Sequence, residues 1–137
     1  VDTWTGKVDV QQITAIHDVG RAIHPPSLEG QVEGGAVQAL GWACMEDLLL
    51  DEGRLRNPGF TDYLIPTAAD VPFIDTMMVE VGCNATPYGL RGVGEPPIVP
   101  TPAAMANAVH SATGVRIKEL PMDPETVLKA LTIYLMT

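Results

Sequence analysis

The chain is short of cysteine, of basic residues and of aromatics, and it has no long apolar run. Its two cysteines, Cys44 and Cys83, stand far apart and form neither a CxxC pair nor a zinc-binding set. With no secretory signal ahead of them, they read as reduced thiols of a cytoplasmic protein, buried and inert. Eight lysines and arginines face seventeen acids, for a formal net charge of -9. With no local Lys/Arg cluster, such a surface repels phosphate backbones and argues against a nucleic-acid partner. No apolar stretch is long enough for a bilayer-crossing helix. What is present, 46% hydrophobic and 18% charged residues over 137 positions, is globular composition sufficient for one domain or part of a larger one. The first residue is Val1, within what reads as a strand, so a fragment or processed product is expected.

Glycine and proline punctuate the rest. Residues 1–19 read as a hairpin turning at Trp4-Thr5-Gly6-Lys7, with Val8, Val10 and Gln12 alternating before Ile13 to Val19. Gly20 and Pro25-Pro26 end that extended region. Ser27 is the expected cap of an amphipathic helix to about Glu46, with Glu29 in its first turn and Leu28, Val32, Ala36, Ala39, Leu40 and Ala43 on its apolar stripe. Gly34-Gly35 in its middle costs about 1 kcal/mol per glycine relative to alanine. That cost predicts close approach of another group to the helix backbone. A second hairpin is expected around Asp51-Glu52-Gly53, extended segments at Phe60–Ile65 and Ile74–Val81, and a short strand at Val115–Leu120. Thr101-Pro102 and Asp123-Pro124-Glu125 read as helix starts. The fold class predicted is α+β, a mixed sheet of hairpins with about three helices packed on it.

Two segments can carry chemistry. In Gly89-Leu90-Arg91-Gly92-Val93-Gly94-Glu95-Pro96-Pro97, Gly92 and Gly94 let a ligand approach the main chain. Pro96 biases Glu95 toward an extended conformation, and Pro97 stiffens the residues after it. A carboxylate held this way suits a placed general base, although a tight turn with a solvated glutamate accounts for the same residues. The segment is not a phosphate loop, having neither GxxxxGK[ST] nor GxGxxG. In the second segment, Glu29 to Gln38, Gln31 and Gln38 lie two helical turns apart on one face. An amide that donates and accepts at once suits a polar heterocycle or an oxo ligand; a solvated helix face is the plainer alternative.

Three motifs occur here in order: Asp18-Val19-Gly20-Arg21-Ala22-Ile23-His24-Pro25, then Gly30-Gln31-Val32-Glu33-Gly34-Gly35, then Gly92-Val93-Gly94-Glu95-Pro96-Pro97. Over roughly residues 2–131 the sequence resembles the C-terminal part of the molybdenum-binding subunit of the xanthine dehydrogenase and aldehyde oxidase family. The resemblance implies that residues 1–137 are a fragment of a molybdopterin-binding domain. It also implies an oxidoreductase that hydroxylates an N-heteroaromatic or aldehyde substrate with water-derived oxygen. Glu95 falls on the family's catalytic base and Gln31 on a molybdopterin contact; Gly92, Val93 and Gly94 resemble positions close to the cofactor. No residue of the chain is expected to ligate a metal directly. The implied cofactor is molybdopterin, the cytosine dinucleotide form included, with iron–sulfur clusters and FAD on other domains or subunits. The implied partners are the remainder of the subunit, iron–sulfur and flavin subunits and a small-molecule substrate. The alternative is a non-catalytic binding or assembly module with the same fold. The family's other active-site residues lie upstream of Val1, so the fragment is expected to be inactive alone.

Other residues read as structural. His17 and His24 lack a third metal ligand nearby, and Arg21 suits a salt bridge better than a cofactor phosphate. A hydrolase triad through Ser27 and His110 has no GxSxG elbow to support it. Trp4 and Trp42 are expected in a core or an interface.

Overall fold

The computed structural model describes residues 1–82 and 84–136. Cys83, expected to be buried and inert, therefore lies outside the described residues, as does Thr137. The chain forms two compact units, one built from Val10–Ala39 and Pro72–Thr101, the other from Val1–Asp9, Leu40–Val71 and Pro102–Thr137.

The first unit carries the predicted site. Strand β1 (Gln12–Asp18) and strand β4 (Phe73–Val79) pair in parallel, with Ala15 opposite Thr76 and Asp18 opposite Val79. Period-two alternation turns Ile13, Ala15 and His17 to the covered face of β1, and Ile74, Thr76 and Met78 to that of β4. The expected hairpin over residues 1–19 is therefore corrected. The turn near Gly6 exists, closed by the Gly6 N–H donating to the Asp2 carbonyl at 2.8 Å, but β1 takes a partner more than fifty residues away. A parallel partner requires a crossover of a dozen residues or more. Alternation reports which face is buried and says nothing about the partner.

Helix α1 (Pro25–Cys44) begins two residues before its expected cap. Pro25 and Pro26 occupy the opening positions, where a missing N–H costs nothing. His24 takes the capping role expected of Ser27, its Nδ1 accepting from the Ser27 N–H at 3.2 Å while its carbonyl accepts from Ser27 and Leu28. Glu29 consequently lies past the first turn. The predicted stripe is the buried one, with Val32, Ala36, Ala39 and Ala43 fully covered and Leu40 nearly so. Val32 packs with Ala15, Val19 and Val93, and Ala22, Leu28 and Met78 flank this core.

In the second unit, β2 (Leu50–Asp51) and β3 (Arg54–Leu55) form the hairpin expected around Asp51-Glu52-Gly53. Glu52 and Gly53 both have positive φ, at 48° and 79°, as a two-residue turn of this hand requires. The stretch at 60–65 is not extended: the Asp62 and Tyr63 N–H groups both return to the Gly59 carbonyl. Val115–Leu120 forms no strand either, although Val115 and Ile117 are buried. Helix α2 (Thr101–Thr113) opens at Thr101 itself, and the hydroxyl expected to cap the helix instead donates back to the Pro97 carbonyl at 2.8 Å. Helix α3 (Pro124–Leu135) starts as predicted, with Asp123 accepting from the Thr126 N–H at 2.7 Å and Val127 and Leu131 buried. The three α-helices and small sheets of the described residues make an α+β fold. Trp4 and Trp42 are outside its core, 90% and 48% exposed.

Candidate functional site

The site assembles on the first unit from the exit of β1, the first half of α1 and the loop between β4 and α2. Tyr88 and Gly89 turn that loop with positive φ, 59° and 73°. It then runs beside the exit of β1, where the Arg21 N–H donates to the Gly89 carbonyl (2.9 Å) and the Arg91 N–H to the Val19 carbonyl (3.1 Å). Gly20 is obligatory at this crossing: its φ is +67°, and an added Cβ would stand 2.3 Å from the Gly89 carbonyl oxygen.

Asp18 binds this corner together. One carboxylate oxygen accepts from the Gly20 and Val81 N–H groups at 3.0 and 3.2 Å, and the other meets Arg91 Nε at 3.0 Å. The Gly20 N–H foremost holds the Asp18 carboxyl below its usual range; burial, the next influence in size, opposes it, and the Val81 N–H and the Arg91 charge add to the lowering. Sequence reading passed over this pair. Opposite charges at the start of the first motif and just before the third were the available signal, but 73 residues separate them. Arg21, for which an ion pair was expected, makes none among the described residues; the ion pair belongs to Arg91.

Beyond Arg91 the loop alternates between anchored and open positions. The Val93 side chain is in the core at 6% exposure, so this residue offers a ligand only its main chain. Gly92 and Gly94 are exposed, and nothing lies within 4 Å of where a Gly92 Cβ would stand. Glu95 is exposed at the head of a 3-10 turn over Pro96–Ile98, its carbonyl accepting from the Ile98 N–H at 2.9 Å. Its φ and ψ of -107° and -24° are helical, which corrects the extended conformation expected before Pro96. Proline disfavours that region for its predecessor without forbidding it. The turn's hydrogen bond and the full burial of Pro97 hold Glu95 there.

Pro97 explains one of the two helix glycines. An added Cβ on Gly35 would meet Pro97 Cβ at 2.8 Å, so the ring lies directly on the backbone of α1. Gly34 faces open space. One turn earlier on the Gly35 face, the Gln31 side-chain oxygen lies 3.8 Å from where a Gly94 Cβ would be. The structure thus brings Gln31 and the Gly94-Glu95 stretch together, with the loop laid along one face of the helix. Gln38 is exposed further along α1, and among the described residues no side-chain hydrogen bond joins it to the loop.

A half-open cavity of about 390 Å³ adjoins the loop, lined by His17, Asp18, Thr86, Leu90, Arg91, Gly92, Val93 and Pro96. It takes in two predicted positions, Gly92 and Val93, while Glu95 and Gln31 lie outside its lining. No three metal-ligating side chains cluster among the described residues.

The comparisons with known proteins fall on this architecture. Residues 1–72 match the molybdopterin cofactor-binding domain. A xanthine dehydrogenase molybdenum-binding subunit from Escherichia coli is 42% identical over 91% of this chain and 17% of its own length. The nicotine 6-hydroxylase large subunit of Paenarthrobacter nicotinovorans is 37% identical over 95% of this chain and 16% of its own length. Among solved structures, the aldehyde oxidoreductase of Desulfovibrio gigas superposes with a TM-score of 0.88 at 35% identity, covering 96% of this chain and 14% of that one. The chain spans about one sixth of the length of the curated relatives it matches. With this fold, the motif-bearing loop and the helix beside it, the chain belongs to the molybdopterin cofactor-binding domain family, within the xanthine dehydrogenase and aldehyde oxidase group of molybdenum hydroxylases.

Proposed function

We propose that this chain supplies the general base, Glu95, and cofactor contacts through Gln31, Gly92, Val93 and Gly94 to a molybdenum hydroxylase acting on an N-heteroaromatic or aldehyde substrate. The observation that carries the reading is the mounting of Glu95. An exposed carboxylate stands on a 3-10 turn, with the buried Val93 on one side of it and the buried Pro97 on the other. A base needs this combination of access and fixed geometry.

The residues present suit the pterin group. Gly92 and Gly94 leave main-chain N–H and C=O groups open to a ligand, with no side chain in the way at Gly92. Gln31 adds an amide that both donates and accepts beside Gly94, which matches a heterocycle carrying both kinds of edge. When bound, the molybdenum cofactor supplies an activated oxygen and accepts the electron pair removed from the substrate. Glu95 contributes proton removal at its carboxylate, typically worth about 10²–10⁴-fold. Gln31 and the glycine main chain hold the cofactor where that carboxylate can act.

The remainder of the subunit is the first partner in this reading, and iron–sulfur and flavin subunits complete electron transfer. The outer face of β1 and β4 supports a protein partner. Ile16, Phe73 and Met77 are 57%, 68% and 53% exposed on a parallel pair, an arrangement that proteins normally cover on both faces. None of the described helices is long and apolar enough to cross a membrane, and cytoplasmic residence goes with this reading.

Glu95→Gln in the complete subunit tests it. Turnover is expected to fall at least about 10²-fold while molybdenum content stays at the parent level. Turnover retained in that variant removes Glu95 from the role. Persistent absence of molybdenum from the parent subunit, under molybdenum-replete expression, favours a non-catalytic module instead.

A further inference from the structure

We propose that Asp18 and Arg91 form a positioning pair, clamping the loop that bears Glu95 to the exits of β1 and β4 and so setting where the Glu95 carboxylate stands. The proposal rests on the reading of Glu95 as the base.

Asp18 is the last residue of β1, and both of its carboxylate oxygens are committed. One accepts from main-chain N–H groups on both strand exits, Gly20 and Val81, and the other accepts from Arg91 Nε. Arg91 is attached a second time through its own N–H, which donates to the Val19 carbonyl. Four residues later comes Glu95, and between the two lie a pair of glycines with unrestricted backbones and Val93, whose side chain is in the core. A loop with that much glycine needs a firm origin if its tip is to be placed. On the far side, Pro97 against Gly35 provides the other support.

The energetics favour a geometric role. The two side chains are 43% and 34% exposed, and a pair so accessible to water adds little to global stability. Its effect is orientation: one carboxylate holds three donors from three chain segments in fixed relation. A guanidinium donates from Nε at a set angle, whereas an ammonium supplies charge without that direction. Neither Asp18 nor Arg91 is assigned contact with substrate. Their influence is transmitted along the main chain to Glu95, where a misplacement of about 1 Å can cost on the order of 10²-fold in rate.

Arg91→Met, Arg91→Lys and Asp18→Asn in the complete, cofactor-loaded enzyme test the pair. Arg91→Met and Asp18→Asn are expected to lower kcat by about tenfold or more with KM unchanged, and Arg91→Lys to recover part of the loss. Amide hydrogen exchange is expected to accelerate at residues 92–95 in the Met and Asn variants, with molybdenum content and thermal midpoint at parent values. Parent-like kcat and exchange in both variants overturns the proposal. Loss of kcat that appears only together with lost molybdenum or a lowered midpoint also overturns it, because the role is then general folding. If Arg91→Met does not accumulate, Asp18→Asn decides by the same readouts. Glu95→Gln, run alongside, separates the two ideas: its inactivity beside an unaffected Asp18→Asn refutes the clamp and leaves the base in place.

Discussion

Replacing Gly35 by alanine turns the Pro97 contact into a measurement of how well Glu95 is placed. The added methyl group would lie 2.8 Å from Pro97 Cβ and 3.4 Å from Pro97 Cγ. Carbon atoms in ordinary contact stand ~3.5–4.0 Å apart, so the ring must withdraw by roughly 1 Å. It has no rotamer with which to yield, and it is fully buried, so the displacement passes into the main chain two residues from Glu95. For stability, two effects oppose each other. Alanine gains about 1 kcal/mol in helix propensity over glycine, while overpacking a filled site costs about 1–3 kcal/mol. The net change lies between nothing and a loss of about 2 kcal/mol. With Glu95 as the proposed base, the expected catalytic effect is larger, because a shift of about 1 Å in a reacting group can cost on the order of 10²-fold. Steady-state kinetics on the complete enzyme should therefore show kcat falling well beyond any change in thermal midpoint, with molybdenum retained. Gly34→Ala is the internal control: nothing lies within 4 Å of its added carbon, so kcat is expected at the parent level. Parent-like kcat in Gly35→Ala, or equal losses in the two variants, refutes the reasoning.

Further predictions concern two titrating groups. The folded Asp18 carboxyl titrates below its ordinary value of 3.8, so its contribution to stability is present above that value and is lost as pH falls through the folded one. That contribution is too small to move the thermal midpoint, the pair being open to water, so a side-chain NMR titration reads it instead. The Asp18 midpoint should fall below 3.8 in the native protein, and a midpoint at or above 3.8 contradicts the hydrogen-bond assignment. Burial pushes the Cys44 thiol up to about 11. Cys44 is half-buried and not fully covered as expected. Its thiol should react slowly with an alkylating agent at pH 8 in the native protein and faster after unfolding, as peptide mass spectrometry would report, and equal rates contradict its shielding.

The elements legible in the sequence were those set by neighbours along the chain. Asp123-Pro124-Glu125 starts α3 because cap, fixed φ and first-turn acid act within one turn, and the Asp51-Glu52-Gly53 hairpin closes through two residues of positive φ. The α1 stripe was readable because a spacing of three and four residues defines a face wherever the helix packs. Its start lies two residues earlier than expected because His24 supplies the cap that Ser27 was expected to supply. Val115 and Ile117 suggest a strand because apolar residues two apart suit one, yet burial alone satisfies them. The candidate site divides in the same way. Three short motifs point to Glu95, Gln31 and the glycines beside Glu95; Gly34-Gly35 signals a close approach to α1 without naming Pro97 as its source, and Asp18 with Arg91 carries no local signal.

By itself the sequence determined which residues can bear the chemistry and which faces of strand and helix turn inward, since side-chain type and local periodicity act over a few residues. Only the tertiary structure decided that β1 runs parallel to β4, that Glu95 stands in a helical turn, and that Asp18 meets Arg91 across 73 positions. Those outcomes depend on contacts between distant segments, and the energy that selects them exists only once the segments have met.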